Sequence, residues 1–167
     1  MQKTISFRTA QEQDIPLILS FIRQLAEYER MLDEVVATEE LLREWLFERK
    51  KAEVFFAVDG GHEVGFVLFF HNFSTFLGRA GIYLEDLFVL PEYRGHGYGK
   101  ALLQQLARIA IDRGCGRLEW SCLNWNRPSI DFYRSLGARP MDDWTVYRVA
   151  GDTLTELARD VLTKYRI

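Results

Sequence analysis

Cysteine is scarce. Cys115 and Cys122 are the only two in the chain, and with the scattered His62, His71 and His96 they match no zinc-ligand spacing. A metal site and a disulfide framework are therefore not expected. Both thiols read as reduced packing residues, with a redox thiol or an intersubunit bridge as alternatives. No apolar run approaches the ~20 residues of a membrane span. Met1 to Phe7 alternate polar and apolar residues, unlike the basic-then-apolar pattern of an export signal. The expectation is a cytoplasmic protein without a membrane partner. Excess positive charge is also missing: 21 basic against 24 acidic side chains give a net charge of -3. No whole-domain field exists to hold nucleic acid, and cationic partners are favoured.

What is present suits a globular enzyme. The 167 residues are 48% apolar and 14% aromatic, enough for a self-sufficient core and too aromatic for a disordered chain. One domain over residues 1–167 is expected, with no internal repeat or linker. Ile5 and Phe7 alternate like a first strand. Asp14 then stands where a helix cap belongs, with Pro16 in the first turn and Ile18, Phe21, Ile22 and Leu25 on one face. Thr38 can cap a shorter helix carrying Leu41, Leu42, Trp45 and Leu46, after an acidic loop from Met31 to Ala37.

Val54 to Val58 and Gly65 to Phe70 flank Asp59-Gly60-Gly61 and read as a hairpin. Ile82 to Val89 makes a third strand with two acids, Glu85 and Asp86, in its middle. Beyond the loop from Pro91 to Gly99, a helix with Leu102, Leu103, Leu106, Ile109 and Ala110 on one face closes at Gly114 and leads to a strand from Arg117 to Leu123. Asn126 or a neighbour caps a short helix with Pro128 in its first turn and Gly137 as the stop. Val146, Tyr147 and Val149 read as a last strand. A C-terminal helix follows, capped by Asp152 and bearing Leu154, Leu157, Ala158, Val161 and Leu162. The fold class is α/β with a mixed sheet.

Chemistry concentrates in Tyr93-Arg94-Gly95-His96-Gly97-Tyr98-Gly99-Lys100, between a strand and a helix. Three glycines at alternate positions let several N-H groups face one concavity at the positive end of the helix, where a pyrophosphate fits. A nucleotide-triphosphate loop would need Ser or Thr after Gly99-Lys100, and Ala101 stands there. The dinucleotide fingerprint fails too, because Gly95, Gly97 and Gly99 are evenly spaced and lie in mid-chain.

The pattern that remains, Arg94-x-x-Gly97-x-Gly99, resembles the acetyl-CoA loop of the GNAT acyltransferases. The likeness extends to Leu25-Ala26-Glu27-Tyr28-Glu29, to Tyr83-Leu84-Glu85-Asp86-Leu87-Phe88-Val89, and to Trp125-Asn126-Arg127-Pro128-Ser129-Ile130-Asp131-Phe132-Tyr133 with Gly137-Ala138. Together these look like a diamine-type N-acetyltransferase from about Leu25 to Tyr147. The resemblance implies a mostly antiparallel mixed sheet with helices on both faces, acetyl-CoA as cofactor with coenzyme A as product, no metal, and a homodimer. The segment between Gly137 and Trp144 is shorter than in the polyamine enzymes, and Asp142-Asp143 replaces their longer acidic run.

By that resemblance Leu87, Phe88 and Val89 pair their backbone with the pantetheine arm, and Arg94, Gly95, His96, Gly97, Tyr98, Gly99 and Lys100 hold the pyrophosphate. Asn126, Pro128 and Ser129 touch the cofactor, and Tyr133 lies beside its sulfur. Tyr28, Glu29, Glu85, Asp86, Glu119, Trp120, Ser121, Asp142 and Trp144 line a site for a small cationic amine. Chemically, an amine of pKa ~10.4 must lose a proton before it attacks. Glu85 is the candidate base and Tyr133 the candidate acid for the departing thiolate. Asp86 points to the opposite face in a regular strand, so both acids share one pocket only if a bulge breaks the alternation. Such a break would also free an N-H, at Phe88 or Val89, for the thioester oxygen. An acetyltransferase for another amine and a non-catalytic acetyl-CoA sensor are the rival readings.

Overall fold

The structure, a computed structural model, describes the main chain of residues 5–164 and side chains as far as 159. Met1 to Thr4 and the side chains of Val161 and Leu162 lie outside the described residues. Contacts divide the chain into two compact units, one ending at Leu123 and the other beginning at Asn124; the single domain expected from the sequence spans both.

The first unit is built on a five-stranded sheet in the order β1 (Ser6–Thr9), β2 (Glu53–Asp59), β3 (His62–Ser74), β4 (Arg79–Val89) and β5 (Leu118–Trp120). All neighbours are antiparallel except β4 and β5, which run parallel. The β2–β3 hairpin closes through Gly60 and Gly61 at φ 58° and 84°, both in the left-handed region that a tight two-residue turn requires.

Helix α1 (Ile15–Tyr28) covers one face of the sheet. Its periodicity places Ile18 and Phe21 inward, where both are essentially inaccessible. Phe21 stacks on Phe66 at 5.1 Å and meets Phe56 and Phe88 at 6.1 Å, a cluster that each ring stabilises by about 2–3 kcal/mol through burial. Asp14 precedes the helix as expected, yet its carboxylate makes no cap bond to it. It accepts instead from both terminal nitrogens of Arg8 and from Gln11 N, so a cross-link to β1 outcompetes the cap. Thr38 does cap, accepting from Leu41 N at 3.2 Å. Its helix α2 (Glu39–Leu42) widens into a π-helical stretch, Arg43–Glu48.

Helix α3 (Tyr98–Asp112) buries Leu102, Leu103, Leu106 and Ala110 on the other side of the sheet. Gly65 lets it approach: a Cβ there would stand 2.8 Å from Phe88 O and 3.2 Å from a Leu102 methyl. Gly114, at φ 68°, ends the helix as read from the sequence. Both cysteines are free.

The second unit carries α4 (Arg127–Ser135) and α5 (Gly151–Lys164). Asn126 caps α4 by accepting from Ser129 N, with Pro128 in the first turn, and Gly137 follows at φ 87°. The strand expected at Val146, Tyr147 and Val149 does not form. That segment is irregular, with Tyr147 92% exposed, because alternation sets which way residues would face but supplies no neighbour to bond to. Likewise β5 stops at Trp120 rather than at Leu123. Helix α5 begins one residue before Asp152.

Candidate active site

The site begins at a defect in β4. Leu84 pairs with Phe69 and Asp86 with Leu68, so Glu85 is an extra residue and the alternation slips. Leu84 and Leu87 keep to the α3 face, and Glu85 and Asp86 share the α1 face with Tyr83 and Phe88. The condition set by the sequence for a common pocket is thus met. Glu85 is exposed and Asp86 half-buried. Burial, then the charge of Glu85, then that of Glu29 push the Asp86 carboxyl up to about 7. Burial also raises Glu29, at the end of α1. Cys122, which the sequence reading left outside the site, has its thiol raised by burial and by Glu29, and so borders the same acidic pocket. Burial thus leaves Asp86 as an acid whose proton exchanges near neutrality, which no residue pattern announces.

From the bulge onward β4 has β3 on one side only. Pairing with β5 ends at Leu84–Trp120, and among the described residues no strand takes its place beside Leu87 to Val89. Register decides what that edge offers. Leu90 N donates to Val64 O, which makes Val89–Gly65 a non-hydrogen-bonded pair. The N-H and C=O of Leu87 and Val89 therefore point along the open edge, whereas Phe88 bonds toward β3. Of the two donors expected from the sequence, Val89 lies on the open edge and Phe88 does not. The side chains of Phe88 and Val89 are buried in the core and only main chain faces outward.

Beyond the edge comes the glycine loop. Gly95 and Gly97 sit at φ 78° and 84°, where a side chain would be strained. Among the described residues, no main-chain carbonyl accepts from the N-H groups of residues 95–100, and the first such bond runs from Ala101 to Gly97 O. Gly99 has ordinary helical geometry, and a Cβ there would meet nothing within 4 Å. Glycine weakens a helix, and no packing in the protein calls for one at this position. Free amides at a helix N-terminus and open space over Gly99 fit a diphosphate.

Two of the expected contacts take a different form. Tyr98 turns its ring into the core, and its hydroxyl donates to Asp59, so only its main chain is left for a ligand. Arg94 donates from Nε to Val89 O at 3.0 Å and holds its guanidinium over Tyr28 at 5.0 Å and Phe88 at 5.2 Å. It links the loop to the acidic pocket rather than projecting into the amide cradle. His96 is exposed, with Nδ1 3.2 Å from Tyr93 O, and Lys100 is exposed.

On β5, Glu119 bonds with Asn72 and Arg117 and Trp120 is half-buried; just past its end Ser121 bonds with the Tyr83 hydroxyl. In the second unit Asn126 is buried, Ser129 and Tyr133 are half-buried, Tyr133 packs on Phe132 at 5.5 Å, and Pro128, Asp142 and Trp144 are exposed. Among the described residues, no cluster of three or more metal-ligating side chains forms, and no helix is long and apolar enough to cross a membrane.

An open strand edge that joins a carboxylate pair to an amide cradle is the arrangement of a group-transfer enzyme with an extended, phosphate-bearing donor. Residues 19–138 match the Acetyltransferase (GNAT) family, and the chain belongs to it. It is an N-acetyltransferase, moving an acetyl group to an amine; enzymes of this family take that group from acetyl-CoA. It is 38% identical to the thialysine N-epsilon-acetyltransferase of Sus scrofa over 93% of this chain and 98% of the relative. It is 32% identical to the L-ornithine N5-acetyltransferase of Arabidopsis thaliana over 88% and 85%. An integron cassette protein structure from the mobile metagenome of V. cholerae superposes with a TM-score of 0.77 at 29% identity, covering 93% of this chain and 98% of that one.

Proposed function

We propose that the chain acetylates the terminal amine of a small cationic acceptor, with the β4 edge and the glycine loop holding the donor. The observation that carries this reading is the order of groups along β4: neighbouring acids at Glu85 and Asp86, N-H groups at Leu87 and Val89 turned to the open edge, then the free amides of residues 95–100. Bound acetyl-CoA supplies an acetyl group activated as a thioester. The amides of residues 95–100 hold its diphosphate. The N-H groups of Leu87 and Val89 are the donors for the thioester oxygen.

Asp86, poised at about 7, takes the proton that the incoming ammonium must lose. Glu85 holds the acceptor's charge and passes protons to solvent. Tyr133 gives its phenolic proton to the departing sulfur, and Asn126 and Ser129 steady the cofactor. Tyr28 and Glu29 close the acceptor side with an aromatic face and a carboxylate. The chain works in the cytoplasm as a homodimer. Supporting the acceptor class are the acid pocket itself and relatives whose names specify thialysine and ornithine. The test is thiol release from acetyl-CoA across a panel of diamines, diamino acids and aminoglycosides. Turnover should concentrate on the small linear amines. Tight acetyl-CoA binding with no turnover on any of them would favour the sensor reading.

A further inference from the structure

Past the acid pocket the same sheet face continues as a polar strip. Tyr83 of β4 shares a hydrogen bond of 2.6 Å with Ser121, the residue after β5. One pairing further on, Asn72, Arg117 and Glu119 meet over Gly81, where a Cβ would stand 2.5 Å from Asn72 Oδ1 and 3.1 Å from Arg117 Cγ. Glu119 Oε2 accepts from Asn72 Nδ2 at 2.9 Å and pairs with Arg117 Nε at 2.9 Å. Among the described residues, Glu119 Oε1 and the two terminal nitrogens of Arg117 are left without a partner, on side chains 35% and 38% exposed. Asn72 Oδ1 is buried and receives no hydrogen bond, so the bond from this amide to Glu119 is the one that fixes the carboxylate.

A guanidinium edge beside a free carboxylate oxygen is the complement of a zwitterion: the planar fork takes a carboxylate in two parallel bonds, and the oxygen takes an ammonium. A bare diamine could offer its second ammonium to Glu119 but would leave the Arg117 fork without an anion and add a positive charge beside it. We propose that Arg117 and Glu119 bind the α-carboxylate and α-ammonium of an amino-acid acceptor whose terminal amine lies at Asp86 and Glu85. Spacing agrees. Glu119 pairs with Tyr83, and Glu85 lies two residues further along β4. That is about 7 Å along the strand and about 5 Å across, or roughly 8 Å between main-chain positions. Three or four methylenes make four or five bonds of ~1.5 Å between the α-carbon and the terminal nitrogen, a zigzag whose ends stand about 5–6 Å apart, and the side chains close the rest. This inference rests on the acetyl-transfer reading of the acid pocket.

Steady-state kinetics of the full chain with acetyl-CoA tests it, comparing L-ornithine with putrescine and L-lysine with cadaverine, each pair differing by the carboxylate. The expected kcat/KM for the amino acid exceeds that for its decarboxylated partner by about 10- to 100-fold. In Arg117→Ala that ratio falls toward one through a raised amino-acid KM, and Arg117→Lys restores part of it. A diamine used as well as its amino acid, or a ratio that Arg117→Ala leaves intact, overturns the proposal while leaving amine acetylation standing. No turnover of any of the four overturns both. Should Arg117→Ala fail to fold, the wild-type ratio decides alone.

Discussion

The two ends of the site are made of different material. At residues 95–100 a ligand meets main chain: amides with no internal acceptor, glycines at positive φ, and side chains turned aside, as Tyr98 is toward Asp59. At Glu29, Glu85 and Asp86 it would meet charged side chains, with Asp86 raised by burial and by the charges of Glu85 and Glu29, and Glu29 raised by burial. A main-chain site is specified by the few residues that shape the backbone, and it tolerates change elsewhere. A side-chain site is specified by packing at a distance, here by a single extra residue in β4, and it responds to pH.

Substitutions should expose that contrast. The largest effect is expected where one proton is given: Tyr133→Phe lowers kcat by about 10²- to 10⁴-fold with the KM for acetyl-CoA little changed, and near-normal turnover in steady state removes Tyr133 from the mechanism. Asp86→Asn comes next. In the wild type kcat/KM should climb as pH passes about 7 and Asp86 loses its proton, and the variant should lose about 10²-fold together with that limb. A limb that persists in the variant assigns the base elsewhere.

Stability moves the other way. The folded chain holds the Asp86 proton to about 7 against an ordinary 3.8, so this group's contribution is complete below about 4 and drains away as pH rises to 7. Asn cannot ionise, and Asp86→Asn should therefore be more stable than wild type at pH 8, by about 1–4 kcal/mol in denaturant titrations. The smallest effect is the sharpest for the main-chain end. Gly99→Ala should leave the melting temperature unchanged or raised, because the site is open and helical, while raising the KM for acetyl-CoA about 10-fold by filling the approach to the amides. A KM that stays put would mean the cofactor does not come close there.

Legibility follows the same division. Helix α1, the hairpin through Gly60 and Gly61, the loop ending at Gly99 and the Asn126 cap were all readable, since each depends on residues within a few positions of one another. What escaped depends on partners far along the chain. Asp14 bonds with Arg8 instead of capping, a competition between two local options that propensity does not rank. The alternation at Val146 to Val149 finds no strand to pair with among the described residues. The bulge that unites Glu85 with Asp86 is set by pairing with β3, and the burial that raises Asp86 comes from packing that the residue pattern does not show. Arg117 stands in the sequence only as the start of a strand, because Asn72, which bonds with its partner Glu119, comes from β3.

The bond from Tyr98 to Asp59 ties the first turn of α3 to the β2–β3 hairpin, and its consequence reaches beyond packing. A loop anchored at its helical end to a rigid turn behaves as a mould, not as a flap. Donor capture should then proceed by simple docking, fast and with little heat-capacity change from ordering, leaving any slow rearrangement to the release of the acetylated product.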